Sequence, residues 1–169
     1  MARKKAEPAA PLTTAQRLGT LLKSARDIMR KDKGLNGDLD RLPLLTWVMF
    51  LKFLDDIERQ REQKAALASK KYRPAIEAPY RWRDWAAKED GISGDDLKNF
   101  INQEEALLPN GGRGQGLLTY LRTLPFDGEN DPRRVIATVF SGVTNRMESP
   151  FLLRDIINKE FQIKAGSNI

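Results

Sequence analysis

The 169-residue sequence contains no cysteine and no histidine. Without cysteine the chain can form neither a disulfide framework nor a thiolate metal site, and without histidine it lacks the commonest general base and zinc ligand. Most hydrolase chemistries are therefore excluded. The sequence also shows no nucleophile paired with a base and no phosphate-binding P-loop. The residues themselves predict no catalytic, cofactor-binding or metal site.

Long apolar runs are missing as well. The most apolar stretch is interrupted by Lys52 and is too short to span a membrane. The basic residues 1–8 lead into proline and alanine rather than into an apolar segment, so they do not form a secretory signal. We expect a cytoplasmic protein with no membrane partner.

Apolar residues recur at helical spacing along most of the chain, and no segment shows the alternation of a half-buried strand. The most apolar stretch, residues 42–58, predicts a central helix with Pro43 in its first turn, and the charged run from Asp55 onward predicts where it enters water. Other helices should pack around it. We predict an all-α domain, a compact orthogonal bundle of about five to seven helices. The predicted core face of the central helix is Leu44, Trp47, Val48, Leu51, Leu54 and Ile57.

Capping signals predict the ends of the other helices. A capping box at residues 13–16 begins a first helix that ends near Lys33 and Gly34. Ser93 begins a helix that ends with Leu107 and Leu108, and residues 110–116 form a glycine-rich hairpin tip between helices. One Asp-Pro pair and one Ser-Pro pair begin the last two helices. These pairs are Asp131-Pro132, with Val135, Ile136, Val139, Phe140 and Val143 turned inward, and Ser149-Pro150.

Composition divides the chain into three parts. Residues 1–12 are small, basic and proline-containing, which predicts a flexible basic arm. Residues 13–164 form a single helical domain, and residues 165–169 are a disordered tail. The net charge of +6 comes from residues 1–33. A second basic block at residues 59–83 is followed by an acidic stretch at residues 84–110, which suggests a polyanion partner and a protein partner.

Basic and aromatic residues alternate between residues 70 and 85, a mixture that can grip phosphates and stack on bases. In the alternative interpretation, Trp82 and Trp85 pin an irregular loop onto the core and leave the arginines available to a ligand. A basic stripe on the first helix is either a DNA contact or a solvated face. The candidate DNA-contact residues are Lys23, Arg26, Arg30, Lys70, Lys71, Arg73, Arg81, Arg83 and Arg113.

Three segments resemble a known family. Residues 45–56, LTWVMFLKFLDD, resemble its apolar LxxLxFLKxLSD helix, and residues 149–159, SPFLLRDIINK, resemble its LLRDVINKI helix. Arg81-Trp82 resembles an arginine-tryptophan pair that follows a proline-bearing loop. The chain is thus similar to the N-terminal helical domain of the modification (M) subunit of type I restriction-modification systems, which are adenine-N6 DNA methyltransferases.

The resemblance implies a function that the residues alone do not show. In that family a larger catalytic domain follows, which binds S-adenosylmethionine and transfers its methyl group to adenine. Its motifs are absent here, and residues 130–133 lack the second proline and the aromatic that hold a flipped base. The resemblance therefore implies a domain that helps to enclose double-stranded DNA, with a specificity subunit, a second M subunit and a restriction subunit as partners. The alternative is a stand-alone helical DNA-binding or adaptor module with no enzymatic parent.

Overall fold

The computed structural model describes residues 13–87 and 91–161. Within these ranges the fold is helical, as predicted, apart from one small β-hairpin. The predicted arm at residues 1–12 and the tail at residues 165–169 lie outside the described residues. The elements in chain order are α1 (Thr14–Met29), α2 (Asp38–Leu67), α3 (Trp82–Trp85), α4 (Gly94–Asn102), β1 (Glu105–Leu107), β2 (Arg113–Gln115), α5 (Leu117–Arg122), α6 (Pro132–Phe140) and α7 (Pro150–Ile156), which continues as a π-helical turn, Ile157–Phe161.

The central helix α2 begins earlier than the sequence predicted. Gly37 is its N-cap, and Asp38 and Asp40 lie in the first turn, where their charges favour the positive end of the helix dipole. Pro43 consequently lies inside the helix rather than in its first turn. Its ring removes one backbone donor, but the helix continues for the full span to Leu67.

The buried face of α2 agrees with the prediction in its first half and differs in its second. Trp47 and Leu51 are buried in the core together with Leu44 and Val48. Ile57, however, is 45% exposed, whereas Asp55 and Glu58 are almost completely buried. Steps of three and four residues from Leu51 lead to positions 55 and 58, so the core face passes through the two acids. The prediction that α2 enters water at Asp55 is wrong.

Side-chain caps confirm the predicted starts of three helices. Thr13 and Gln16 form a complete capping box at α1, and the Asp131 carboxylate accepts the Arg133 backbone N–H at the start of α6. At α7, the Ser149 hydroxyl accepts the Leu152 backbone N–H. Each cap satisfies a donor that the helix itself leaves unpaired.

The segment after α4 differs from the prediction, because Leu107 ends a short strand rather than a helix. The strands β1 and β2 pair antiparallel, with Ala106 opposite Gly114. Gly116, after β2, lies so close to the preceding turn that a Cβ atom there would be 1.8 Å from the Gln103 carbonyl oxygen. The glycines of residues 110–116 therefore serve the hairpin and its packing.

Helix α6 buries a narrower face than predicted. Ile136 and Phe140 are buried, but Val135 is 58% exposed and Val139 is 40% exposed. The helix packs chiefly against α5, and the Phe140 ring meets Phe50 of α2 at 5.8 Å between ring centroids. The two valines lie outside this contact and stay accessible to solvent.

All seven described α-helices contribute side chains to one core. Trp85 is fully buried, and its ring meets Trp82 edge-on at 5.3 Å between centroids and lies tilted against Phe100 at 6.0 Å. Tyr80 stacks on Tyr120 at 3.8 Å, which joins the segment before α3 to α5. None of the described helices is long and apolar enough to cross a membrane.

Asp32 connects the two ends of the domain. Its buried carboxylate accepts the backbone N–H groups of Gly34, Glu148 and Ser149 at 2.8–3.1 Å. Gly34 is needed here because a Cβ atom would lie 2.0 Å from the Arg146 carbonyl oxygen. The turn after α1 and the start of α7 are therefore held together by one side chain.

Candidate nucleic-acid interface

The segment between α2 and α3, residues 68–81, is the most basic loop of the described structure, and we call it the basic loop. It contains Lys70, Lys71, Arg73 and Arg81 with a single acid, Glu77. The first three cations are exposed, and within the described residues they form no ion pair. A polyanion can bind exposed cations of this kind, because no ion pair among the described residues neutralises their charge.

The basic loop begins in a defined turn. The Ser69 N–H donates to the Ala66 carbonyl at 3.1 Å and the Lys70 N–H to the Ala65 carbonyl at 2.8 Å, the pair of bonds that closes a Schellman motif. Ser69 has φ = +53°, a left-handed conformation that glycine usually supplies. The lysines thus leave the end of α2 in a fixed direction.

A buried carboxylate holds the middle of the basic loop. Glu58 of α2 accepts the Ala75 backbone N–H at 2.6 Å and the Tyr72 hydroxyl at 3.2 Å through the same oxygen, Oε1. Burial and the neighbouring Glu58 charge raise the pKa of Tyr72, so the phenol keeps the proton that it donates. The Arg61 side chain lies close enough to act in the opposite direction on the same hydroxyl.

Ion pairs hold the far end of the basic loop. The Arg81 guanidinium binds Asp84 through two bonds of 2.9 Å, and this hydrogen bonding raises the pKa of Arg81. Arg83 donates to Asp55 and to Glu62 of α2, each at 2.8 Å. Burial lowers the pKa of Arg83, but the bonds to the two carboxylates outweigh burial and raise it overall.

The two tryptophans of α3 lie in the core, as the second interpretation of this segment predicted. Trp82 is 3% exposed and Trp85 is fully buried, so neither can stack on a base. Buried Arg154 of α7 donates to the carbonyl oxygens of Trp85 and Ala86 at 3.1 and 3.4 Å. The segment at residues 149–159 therefore contacts the end of α3 inside the fold.

The nine candidate DNA-contact residues fall into two groups. Four are exposed and form no ion pair among the residues that the structure describes, namely Lys23, Lys70, Lys71 and Arg73. The other five pair with acids, namely Arg26 with Asp38, Arg30 with Asp27, Arg81 with Asp84, Arg83 with Asp55 and Glu62, and Arg113 with Glu105. Arg83 is the least available, because its side chain is only 17% exposed. DNA contact by these residues stays a prediction.

Sequence reasoning missed the roles of Asp55 and Glu58. The signal was present, because both acids continue the three- and four-residue steps of the buried face beyond Leu51. The choice of partners could not be predicted in this way, since Arg83 and Ala75 reach α2 only through the path of the basic loop. Within the described ranges, no three acidic side chains cluster in a way that could hold an ion.

Comparison with known proteins identifies the family of this fold. The model of the HsdM N-terminal domain matches residues 18–159, which is most of the chain. The chain belongs to the HsdM N-terminal domain family. The methylase subunit of the type I restriction enzyme EcoEI from Escherichia coli is 36% identical over 152 residues, which are 89% of this chain and 28% of that subunit.

Two solved structures have a similar fold. A crystal structure of a modification subunit of a putative type I restriction enzyme from Vibrio vulnificus YJ016 is 62% identical, with a TM-score of 0.86, and covers 94% of this chain and 33% of that one. A chain from a structural study of complex assembly and conformational transition in a type I R-M system is 31% identical, with a TM-score of 0.67, over 92% of this chain and 28% of that one. The chain spans at most about a third of each relative.

Proposed function

We propose that this HsdM N-terminal domain binds the phosphates of double-stranded DNA through the basic loop and thereby helps a modification enzyme to enclose its DNA. Family membership favours this interpretation over a stand-alone adaptor. The supporting observation is the exposed set Lys70, Lys71 and Arg73, which form no ion pair with the described residues. Phosphate contact supplies affinity without reading sequence, so the domain binds DNA without sequence preference.

The proposed interface is narrower than the set of candidates. Arg81 and Arg83 hold carboxylates that position α3, so they act within the fold. Arg61 and Lys64 are two further cations beside the basic loop. Both are exposed on the last turns of α2, and the first residues of the loop hydrogen-bond back to the end of that helix. These helix cations extend the basic surface, and no described acid forms an ion pair with them.

The rest of the modification subunit supplies the chemistry in this proposal. S-adenosylmethionine binds the catalytic domain, which methylates adenine N6. The glycine segment at residues 110–116 belongs to the β-hairpin, where Gly116 packs against the Gln103 carbonyl oxygen. We assign no step of methyl transfer to the residues of this domain.

Subunit partners are assigned to a different surface. Asp95, Asp96, Glu104 and Glu105 are all exposed on α4 and the hairpin, and they repel DNA phosphates. We propose that this acidic side faces another protein of the system, in the first place the specificity subunit, with a second M subunit and a restriction subunit as further partners. An exposed group of acids of this kind is complementary to a basic surface on such a partner.

The DNA proposal is tested with a paired charge reversal in the 169-residue chain. Fluorescence anisotropy with a labelled duplex, measured across a series of salt concentrations, compares Lys70→Glu/Lys71→Glu with Lys31→Glu/Lys33→Glu. Both variants change the net charge equally, and all four lysines are exposed. We expect the loop variant to lower the slope of log affinity against log salt by roughly 0.9 for each lost phosphate contact.

The control pair separates contact from net charge. If both variants weaken binding equally and leave the slope unchanged, the basic loop is not a DNA contact and the proposal is wrong. Reversal of Arg81 or Arg83 is unsuitable for this purpose, because it would place like charges beside Asp84 or Asp55 and disturb the fold.

A further inference from the structure

The basic loop has no regular secondary structure, yet it is attached at several points. The Schellman turn fixes its start, and the buried side chains of Ala75 and Ile76 fix its later part. Lys70, Lys71 and Arg73 lie between these attachments. The only acid that reaches this middle section from α2 within the described structure is Glu58.

Glu58 is an unusual residue for that place. It is 2% exposed, and within the described residues it forms no ion pair with any lysine or arginine. Its hydrogen bonds go to a backbone N–H and a tyrosine hydroxyl, both of which belong to the basic loop. Burying a carboxylate for neutral donors is costly unless the bonds are well made.

We propose that Glu58 is a positioning residue for DNA binding, which holds the basic loop so that Lys70, Lys71 and Arg73 face one DNA backbone together with Arg61. This inference rests on the proposed function of the basic loop. The bond to Ala75 fixes the backbone two residues after Arg73, and the bond to Tyr72 fixes the side chain before it. A loop ordered before binding loses less conformational freedom when it meets its ligand.

A purely electrostatic role and a positioning role of Glu58 predict opposite changes in DNA affinity when Glu58 is substituted. A carboxylate near the basic loop repels phosphate, so an effect of charge alone predicts tighter DNA binding when the carboxylate is removed. A positioning role predicts weaker binding, because the cations are no longer held. The sign of the change in affinity therefore distinguishes the two roles.

Two substitutions of similar size separate these roles further. Glu58→Gln and Glu58→Met remove the same charge, but glutamine keeps an oxygen that can accept the Ala75 N–H and methionine does not. We expect the methionine variant to bind duplex DNA roughly three- to tenfold more weakly than the glutamine variant. DNA binding would then have to order one or two side chains that are otherwise held in place before binding. Glu77→Gln, which removes the exposed acid of the same loop, should bind slightly more tightly than the parent.

Amide hydrogen exchange measures the position of the basic loop without DNA. The Ala75 N–H should stay protected in the parent chain and in Glu58→Gln, and it should exchange rapidly in Glu58→Met while the amides of α4 and α5 keep their protection. Circular dichroism and a thermal melt of each variant show that the fold is intact.

Tyr72→Phe tests the inference even if the methionine variant does not fold. It removes one donor to Glu58 and changes no charge, so we expect about twofold weaker DNA binding, whereas charge alone predicts no change. If Glu58→Met and Glu58→Gln bind alike and Tyr72→Phe binds like the parent, Glu58 does not position the basic loop. The inference is then wrong. The proposed function still stands if Lys70→Glu/Lys71→Glu weakens DNA binding. If that lysine variant binds normally, the proposed function itself has failed.

Discussion

The two halves of α2 are buried by different means. In the first half, Trp47, Val48 and Leu51 enter an apolar core. In the second half the same face carries Asp55 and Glu58, and the neighbouring segment brings hydrogen-bond donors to them. One helix face can therefore continue from apolar packing to polar contacts without leaving the interior, provided that each buried charge finds partners.

The halves differ in what each contact specifies. Apolar packing tolerates several side chains of similar size, because dispersion and burial have little directionality. The bonds of Asp55 and Glu58 require particular donors, and so they determine where the basic loop and α3 lie against α2. The first half of α2 thus supplies stability, and the second half supplies the shape of the candidate interface.

The largest expected effect is on the apolar half. Trp47→Ala should lower the free energy of unfolding by roughly 3–5 kcal/mol, the range for deleting a large buried aromatic. Urea unfolding followed by circular dichroism measures the change, and Trp47→Phe is the conservative control with a smaller loss. An unchanged urea midpoint for Trp47→Ala would show that the core is not centred on α2.

A smaller effect is expected for the polar half. Arg83→Met should lower the free energy of unfolding by roughly 2–3 kcal/mol, because it leaves Asp55 with only the longer Arg59 contact at 3.4 Å. A double-mutant cycle with Asp55→Asn, in the same urea experiment, checks the cause. If Arg83→Met costs as much in the Asp55→Asn background as in the parent, the two residues are not coupled.

The smallest effect is expected where the periodic pattern misled. Ile57→Ala should change the free energy of unfolding by less than about 0.5 kcal/mol, since the side chain is 45% exposed. Leu51→Ala, one turn and a half earlier on the buried face, should cost roughly 2–5 kcal/mol. Equal losses for the two variants would mean that Ile57 is covered in solution and that the comparison between the halves of α2 needs revision.

Sequence patterns predicted the apolar part of this fold well. Periodicity located the core residues of the first half of α2, and the cap residues Thr13, Asp131 and Ser149 marked helix starts. These signals are local, because each depends on residues within a few positions of one another. The family resemblance, which rests on spaced segments, was confirmed by the match over residues 18–159.

The polar part could not be predicted to the same extent. A buried acid on a helix is indistinguishable from a solvated one until the donor that approaches it is known, and for Glu58 that donor is 17 residues away. Isolated strands of three residues also escape periodicity, so the hairpin of β1 and β2 was expected to be a helix end and a loop. The pairing of Arg83 with Asp55, 28 residues away, likewise depends on a long-range contact, whereas the pairs Arg30–Asp27 and Arg81–Asp84 are local.

The contacts of Asp32 have a consequence for synthesis. Its donors on Glu148 and Ser149 lie 116 and 117 residues further along the chain, so a ribosome completes nearly the whole domain before they emerge. Until then the Asp32 carboxylate lacks these two donors and can bind only its near neighbour Gly34, and the end of α1 has no attachment to α7. Because contacts of such long sequence separation form slowly, the final closure of this domain follows translation of its last helix.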